Sequence, residues 1–213
     1  MSPRRAKVLS EETSPGALRR HLIAVTQRLL AAHGGSALTT RQIAREAQVS
    51  DGVLYNHFHD KDDLVVTALA AQATENADAF VAAIPEPGTG TLEENLGILA
   101  AAGLAFQAST LPLVTSLFGQ AQLFHQLMTT MHSEAGPQRA FLAAVEYLRA
   151  EQALGRASGE VDAGAAVELL FGACLLRAFT MALRPETAVV PTGPGTPEDL
   201  TAVVATLARA LRP

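Results

Sequence analysis

A short run of polar and aromatic side chains near residue 55 has the types and the spacing needed to contact a nucleic acid. Tyr55, Asn56 and His57 follow one another, and Lys61 comes four residues later. Tyrosine, histidine and lysine can donate hydrogen bonds to backbone phosphates, whereas asparagine can pair with adenine. Because such side chains read DNA only when a rigid element presents them to a groove, the surrounding elements decide the interpretation.

Residues 38–64 predict two short helices joined by a tight turn. The hydroxyls of Thr39 and Thr40 can satisfy the free N–H groups at the start of the first helix. Apolar residues then recur at helical spacing, at Ile43, Ala44 and Ala47. The pattern breaks at Val49, which fills the corner, and either Ser50 or Asp51 is expected to cap the second helix.

The second helix is expected to bury one face and to leave its polar side chains free. Leu54 and Phe58 lie four residues apart, so both point to the same side of a helix. Val53 and Tyr55 point away from this buried side. A helix this short is stable only when another helix packs across it. The segment therefore predicts a helix-turn-helix, in which the second helix enters the major groove of DNA.

The same segment closely resembles the N-terminal signature of the TetR family of bacterial transcription regulators. The matching residues are Leu-Thr-Thr-Arg at 38–41, Ile-Ala at 43–44, Val-Ser at 49–50, Leu-Tyr at 54–55, His-Phe at 57–58, Lys61 and Leu64. With the preceding helix, the resemblance covers about residues 17–66; beyond them the chain is similar only in being helical and rich in Ala and Leu. The resemblance implies DNA contacts at Thr40, Arg41, Asp51, Gly52, Val53, Tyr55, His57 and Lys61.

Several of these side chains suit phosphate contact. Thr40 and Lys61 flank the second helix, and Lys61 stands near a helix start whose N–H groups add to an anion site. Tyr55 and His57 carry polar tips on flat rings, which fits contact at the edge of the groove. Arg41 can reach either guanine or a phosphate.

Base reading is expected from Asp51, Gly52, Val53 and Asn56. Val53 can contact a thymine methyl group, and Asn56 can pair with adenine. Asp51 can accept a hydrogen bond from cytosine N4, but it can equally cap the helix, and both interpretations stay open. Gly52 has no side chain and therefore permits the backbone to approach a phosphate closely.

The charge distribution fits a DNA-binding head attached to an acidic body. The chain of 213 residues has a net charge of −5. Residues 1–61 hold nine Lys or Arg and five Asp or Glu, whereas the remainder holds seven and sixteen. Phosphate contact requires only local positive charge. A nucleoid-type protein that packs DNA without reading sequence is the alternative, but residues 51–57 lack the basic stripe that it would need.

The pattern of apolar residues predicts an all-α fold in three parts. These are a mobile arm at 1–16, a three-helix DNA-binding head at 17–62 and a ligand-binding and dimerisation body at 63–213. Helices are expected at 17–33, 40–47, 51–57, 61–83, 91–109, 111–132 (with a break at Gly119 as an option), 137–153, 163–183 and 198–211. The apolar faces of the last two exceed what one neighbour can cover, which predicts a homodimer through a four-helix interface.

The resemblance further implies that a small molecule enters the body and releases a palindromic DNA operator. Candidate lining residues are Phe106, Phe118, Phe124, His125, Met128, Phe171, Cys174 and Arg177. With no Trp in the chain and Tyr147 as the single tyrosine of the body, a moderately hydrophobic ligand is favoured. Repression is the expected mode of regulation, and activation stays open.

Other classes of function lack their sequence signatures. There is neither a nucleophile elbow nor a phosphate-binding glycine loop, so neither an enzyme nor a cofactor is predicted. Residues 57–63 are dense in His and Asp, but helix caps and solvated charges explain them without a metal. One cysteine, no signal peptide and no uninterrupted apolar span together predict a cytoplasmic protein without a membrane partner.

Overall fold

Helices form all of the regular structure in the part of the chain that the structure describes. This computed structural model describes residues 16–33, 38–131, 136, 138–184 and 199–213, and no strand occurs among them. The helices are α1 (Ala17–His33), α2 (Thr40–Glu46), α3 (Asp51–Tyr55), α4 (Lys61–Ala82), α5 (Leu92–Thr115), α6 (Ala121–Met131), α7 (Gln138–Ala153), α8 (Ala163–Ala182) and α9 (Thr201–Ala210). The predicted all-α fold is confirmed. The predicted arm, except Gly16, and residues 185–197, between the last two predicted helices, lie outside the described residues.

The chain between residues 109 and 121 differs from the prediction. A helix was expected to end at 109 and another to begin at 111, because Pro112 suits a first turn. Instead, α5 continues through Pro112 to Thr115, and α6 begins at Ala121. Proline removes one backbone hydrogen bond from a helix but does not forbid its continuation. The break comes at residues 116–120, in a turn anchored by the fully buried Leu117.

The backbone forms two compact units. The first comprises residues 1–72 and 114–133, and the second comprises residues 73–113 and 134–213. The predicted boundary after residue 62 separates a DNA-binding part from a ligand-binding part, which is a division by function. The compact units do not test it, and it stays a prediction.

The core of the first unit joins α1, α2 and α3. Helix α1 packs on α2, and α2 packs on α3. The buried residues that form this core are Leu22, Val25, Ile43, Ala44, Ala47, Leu54, Phe58 and Leu64. They include the apolar positions that the helical spacing predicted for residues 43–58. Tertiary packing therefore supports helices that are too short to be stable alone.

The core of the second unit is built around four phenylalanine rings. Phe171 lies at its centre, with ring centroids 5.3 Å from Phe80, 6.3 Å from Phe106 and 5.8 Å from Phe141. The Phe80 and Phe141 contacts are edge-to-face, the arrangement that the charge distribution of aromatic rings favours. Around these rings α7 packs on α8, and α8 packs on α9.

Cys174 is buried beside this aromatic cluster. Its Sγ lies 3.5 Å from the carbonyl oxygen of Ala100, and a Cβ added at Gly103 would come within 3.1 Å of the sulfur. Burial raises the pKa of the Cys174 thiol to about 11. The thiol is therefore a protonated packing group, and glycine at 103 allows the close approach.

A buried carboxylate anchors the loop between α4 and α5. Glu151 is fully buried; its Oε1 accepts hydrogen bonds from the Tyr147 hydroxyl at 2.6 Å and the Gly88 N–H at 3.3 Å. Its Oε2 lies 2.8 Å from Arg156 Nε, as an ion pair rather than an aligned hydrogen bond. Burial alone raises the pKa of Glu151, but the hydrogen bonds from Tyr147 and Gly88 and the charge of Arg156 outweigh it and leave the pKa below its ordinary value.

The other donors of Arg156 hold the same loop. Its Nη1 donates to the Gly88 carbonyl at 2.7 Å, and its Nη2 donates to the Thr89 and Gly90 carbonyls at 2.9 and 2.8 Å. Gly88 and Gly90 have φ of 87° and 54°, which glycine adopts without strain. The loop can therefore direct three carbonyls toward one guanidinium.

Two helices of the second unit are strongly apolar. By length and mean hydropathy, 1.6 in each, Leu92–Thr115 and Ala163–Ala182 would suffice to cross a membrane. Both also supply residues to the core of the second unit, including Leu96, Leu99 and Leu170. Core helices have the same composition, so the absence of a membrane partner stays a prediction.

Candidate nucleic-acid interface

The start of α2 is held by a reciprocal pair of side chains. The backbone N–H of Gln42 donates to Thr39 Oγ1 at 3.2 Å, and Gln42 Oε1 accepts from the Thr39 N–H at 2.9 Å. This capping box satisfies donors that a helix start would otherwise leave free. It places Thr40 and the exposed Arg41 on the first turn of α2.

The turn between α2 and α3 depends on a left-handed residue. Gln48 has a φ of 58°, which is unusual for a residue with a Cβ. The turn is closed by hydrogen bonds from the Val49 N–H to the Ala44 carbonyl, 2.9 Å, and from the Ala47 N–H to the Ile43 carbonyl, 2.8 Å. His21 Nε2 lies 3.3 Å from the Ala47 carbonyl oxygen and so connects α1 to the turn.

Ser50, and not Asp51, occupies the N-cap position of α3. Its side chain makes no capping hydrogen bond, and Asp51 is the first residue of the helix itself. The interpretation of Asp51 as an N-cap is therefore wrong, because the helix already begins at Asp51 and not at Gly52. An exposed carboxylate in the first turn still interacts favourably with the positive helix end.

The side chains of α3 separate into a buried face and an exposed face. Leu54 and the following Phe58 are each 3% exposed and lie in the core of the first unit. Tyr55, between them, is 57% exposed. Asn56 is also exposed, and Val53 and His57 are half-buried. The candidate contact residues are therefore presented to solvent by an element whose opposite face is anchored.

Gly52 lies on this surface with open space around it. A Cβ added there would meet no atom within 4 Å, and the backbone does not adopt the left-handed conformation. The fold itself therefore does not require glycine. Glycine at this position would instead be explained by a binding partner whose surface comes close to the backbone.

The start of α4 explains the cluster of histidine and aspartate. Asp60 Oδ1 accepts the Asp63 N–H at 2.8 Å, and Asp63 Oδ2 accepts the His59 N–H at 2.9 Å. The hydrogen bond from the Asp63 backbone, followed by one with His59, lowers the pKa of Asp60. These carboxylates cap the helix. Lys61 opens it, with its Nζ 3.7 Å from Asp62 Oδ1.

The predicted ligand-pocket residues fall in both compact units. Phe106, Phe171 and Cys174 lie in the core of the second unit, and Arg177 is half-buried on the same helix as the last two. Four others belong to the first unit: Phe118, Phe124, His125 and Met128.

Those four residues have different surroundings. Phe118 is 69% exposed, and its ring centroid lies 5.8 Å from that of the half-buried Phe124. His125 lines an open cleft of about 530 Å³ in the first unit. The other residues of this cleft are mostly polar: His59, Asp60, Asp63, Val66, Gln126, Thr129 and Thr130. His125 therefore lies on a polar surface rather than among apolar side chains.

Two features of the head were missed at the level of sequence. The partner of Thr39 in the capping box is Gln42, and the spacing Thr-x-x-Gln is a recognised signal for it. The second feature is Arg19, whose guanidinium carbon lies 4.8 Å from the centre of the Phe58 ring. These two residues are 39 positions apart, and no local pattern indicates their contact.

Comparison with known proteins agrees with this geometry. Residues 22–68 match the bacterial regulatory proteins of the tetR family. The match runs from within α1 to the first turns of α4. A segment of 52 residues is 44% identical to the HTH-type transcriptional regulator HbdR of Aromatoleum sp. (strain CIB), and the alignment covers 24% of this chain and 23% of that protein. The likeness to HbdR in sequence is therefore confined to about a quarter of each protein.

Solved structures extend the likeness in fold to nearly the whole chain. A protein assigned to the TetR-family transcriptional regulators, from Mesorhizobium loti MAFF303099, superposes with a TM-score of 0.74 at 21% identity, over 93% of this chain and 96% of that one. The transcriptional regulator FadR from Bacillus subtilis, solved in complex with stearoyl-CoA, gives 0.59 at 16% identity, over 91% and 100%. At these identities the likeness concerns the fold.

Proposed function

We propose that this protein is a sequence-specific transcription regulator, most simply a repressor, that binds a palindromic operator as a homodimer in the cytoplasm. The exposed face of α3 carries the proposal. Tyr55 is 57% exposed although Leu54 and Phe58 are buried, so the helix is anchored on one side and free on the other. A recognition helix requires this arrangement to enter the major groove.

The proposed DNA contacts divide into positioning and reading groups. Phosphates are bound by Thr40, Arg41, Tyr55, His57 and Lys61, and bases are read by Asp51, Val53 and Asn56. Since α2 packs on α3 and Lys61 opens α4, these side chains come from three consecutive helices of one compact unit and from the turn at Asn56 and His57 that follows α3. Gly52 allows the backbone at the start of α3 to approach the DNA.

DNA selection with matched variants tests this assignment. We expect selection from a random library to enrich a palindrome. Tyr55→Ala should weaken binding to all sequences, whereas Asn56→Ala should change preference at particular base pairs, typically by about 1–3 kcal/mol per base pair. Enrichment of no motif, with salt-dependent binding to every sequence, would instead favour a nucleoid-type protein.

Gly52→Ala provides a sharper test of close approach. Since nothing lies within 4 Å of the added Cβ, the variant should fold, and alanine favours a helix by up to about 1 kcal/mol over glycine. DNA binding should nevertheless weaken. Unchanged affinity of Gly52→Ala would show that the backbone at this point does not approach DNA.

The proposed dimer uses the exposed apolar face of α8 together with α9. Leu169, Leu176 and, just past the helix end, Leu183 recur every seven residues and are 71%, 63% and 68% exposed. Beside Leu169, a shallow apolar groove of about 460 Å³ is lined mainly by residues of α9. A monomer that exposed this stripe to water would be prone to association, and a second copy can cover it in a four-helix interface.

The oligomeric state tests this interface. Leu176→Glu should shift the molar mass from that of a dimer to that of a monomer in light scattering at micromolar concentration. Leu142→Glu is the matched control, because Leu142 is 55% exposed on α7 and lies outside the proposed face. A monomeric wild-type protein would contradict the proposal.

The proposed ligand is a small, moderately hydrophobic molecule that binds in the body and disfavours DNA binding. The lining that we propose for it consists of the predicted residues of the second unit, Phe106, Phe171, Cys174 and Arg177. Because Phe80, Phe106 and Phe171 are in mutual contact, a ligand among them must separate the rings. Such a ligand must bind the DNA-incompetent state more tightly than the competent one.

A thermal-shift screen followed by DNA-release assays tests the ligand. Lipophilic metabolites and drugs form the panel, and stearoyl-CoA belongs in it because the FadR of Bacillus subtilis was solved with it. Hits should raise Tm and release operator DNA, and Phe171→Leu should reduce both effects. Failure of every compound to stabilise the protein would count against ligand control.

A further inference from the structure

Arg19, on the first turn of α1, forms a cation–π contact with a core residue of the head. Its guanidinium carbon lies 4.8 Å from the centre of the Phe58 ring. Phe58 is 3% exposed, whereas the Arg19 side chain is exposed. The arginine therefore covers the ring from outside. Stacking uses the flat face of a guanidinium and leaves the N–H groups at its edge available to donate.

The position of Arg19 on α1 explains this arrangement. Leu22, three residues later, is fully buried in the core of the first unit, and Leu18 packs against the same core. Arg19 is thus at the border of the buried face of α1. A long side chain at such a border lays its aliphatic part on apolar surface and directs its charge to solvent.

The residues around Phe58 are those that bind phosphate in the proposed function. His57 directly precedes Phe58, and Tyr55 and Lys61 stand three residues to either side. A guanidinium fixed on the Phe58 ring adds a positive charge to this short segment. Because the stacking limits the conformations of Arg19 before DNA binds, less conformational entropy is lost when a phosphate is captured.

The carboxylates close to Phe58 in sequence already have other partners. Asp60 accepts the Asp63 N–H, Asp63 accepts the His59 N–H, and Asp62 pairs with Lys61. Among the residues that the structure describes, no ion pair of Arg19 with a carboxylate occurs. Among the described residues, no carboxylate therefore competes with an external anion for its donors.

We propose that Arg19 is a further DNA-contacting residue, which binds a backbone phosphate from its stacked position on Phe58. This role rests on the proposed DNA binding of the head. Arg19 lies outside residues 22–68, the segment that matches the family. In this proposal, α1 itself contributes a side chain to the DNA interface. The planar, multi-donor guanidinium suits phosphate, which it binds through two parallel hydrogen bonds.

Salt-dependent binding to the selected operator tests this role. Arg19→Ala should weaken binding roughly tenfold per protomer at low salt, as expected for lost hydrogen bonds to a charged group. The slope of log K against log salt should become shallower by about 0.9 per protomer. The matched control is Arg28→Ala, which removes the same charge from an exposed position about 13 Å farther along α1. Binding by this variant should stay within about twofold of the wild type.

Arg19→Lys separates stacking from charge. It keeps the charge but loses the planar contact with Phe58, so the salt slope should stay near that of the wild type while affinity falls by about threefold. If Arg19→Ala fails to fold, as judged by circular dichroism, the DNA affinity and the Tm of Arg19→Lys alone test the role. Unchanged affinity of Arg19→Lys would then overturn the role, and reduced affinity with an unchanged Tm would support it.

Two further outcomes separate this role from the proposed function. If the wild type binds its selected operator and Arg19→Ala behaves like Arg28→Ala, the role of Arg19 is overturned while the DNA-binding function stands. If the wild type shows no salt-dependent binding to any DNA, the proposed function fails, and the role of Arg19 fails with it.

Discussion

The two tyrosines of the chain show how differently its two compact units use polar side chains. Tyr55 in the first unit is 57% exposed, whereas Tyr147 in the second is 3% exposed and donates to Glu151 at 2.6 Å. Burial, followed by the hydrogen bond to Glu151, raises the pKa of Tyr147 well above its ordinary value. One hydroxyl is thus available to a partner, and the other is used by the fold.

The surrounding hydrogen bonds follow the same division. In the first unit, the caps at Thr39 and Asp60 join residues three positions apart and leave the surface of α3 open. In the second unit, Glu151 and Arg156 hold a loop more than 60 positions away in sequence. The caps at Thr39 and Asp60 thus stabilise single helix starts, whereas Glu151 and Arg156 stabilise a contact between distant segments.

Glu151→Gln should have the largest effect on stability in this comparison. It leaves Arg156 without its buried counter-charge, and breaking such a pair costs about 3–5 kcal/mol, reduced here to about 3 because Arg156 is partly exposed. Urea unfolding measures the change. Glu146→Gln, at an exposed position on the same helix, is the control and should change stability by less than about 0.5 kcal/mol.

The pH dependence of unfolding provides a second measurement on the same group. Because the pKa of Glu151 is lower in the folded protein, its contribution is fully present above the ordinary value of 4.5 and is lost as pH falls through the folded pKa. The wild type should thus lose more stability than Glu151→Gln as pH falls below about 4.5. Parallel curves for the two proteins would contradict the role of this carboxylate.

Removing each tyrosine hydroxyl should produce opposite results. Tyr147→Phe removes a donor to the buried Glu151 and should cost about 1–3 kcal/mol in urea unfolding without altering DNA affinity. Tyr55→Phe should leave stability within about 0.5 kcal/mol of the wild type and weaken DNA binding. A loss of stability in Tyr55→Phe would show that the two tyrosines do not differ in the way described.

Thr39→Ala should cost about 1 kcal/mol, because it removes the N-cap of α2. The change should appear as faster amide hydrogen exchange in α2, since the cap satisfies donors at its start. Thr130→Ala, which removes an exposed hydroxyl inside α6, is a suitable control. Equal stability of both variants would mean that the capping box contributes little to the head.

Gln48→Gly should have the smallest effect and should increase stability. The left-handed backbone at Gln48 costs about 1–2 kcal/mol for a residue with a Cβ, and the extra flexibility of glycine in the unfolded chain offsets part of the relief. A net gain of about 0.5–1 kcal/mol is expected. Gln48→Ala keeps the Cβ and should show no gain, so a gain in both variants would exclude relief of strain as its cause.

Local signals in the sequence were sufficient to predict most of the helices and the helix-turn-helix. The apolar spacing at Ile43, Ala44 and Leu54 places these residues in a common core, as the structure confirms. Capping and helical periodicity act over three or four residues, so they can be recognised without knowing the fold. The candidate contact residues followed from the same local register, and their part in DNA binding stays a proposal.

Tertiary structure alone decided the features that join distant parts of the chain. The pairing of Arg156 with the loop at Gly88, and of Arg19 with Phe58, depends on how helices pack, since no local pattern brings residues 39 or 68 positions apart into contact. The continuation of α5 through Pro112 was also decided by context, because proline weakens a helix without specifying where it ends. Helical periodicity identifies which face of each helix is buried, and packing decides which residues meet there.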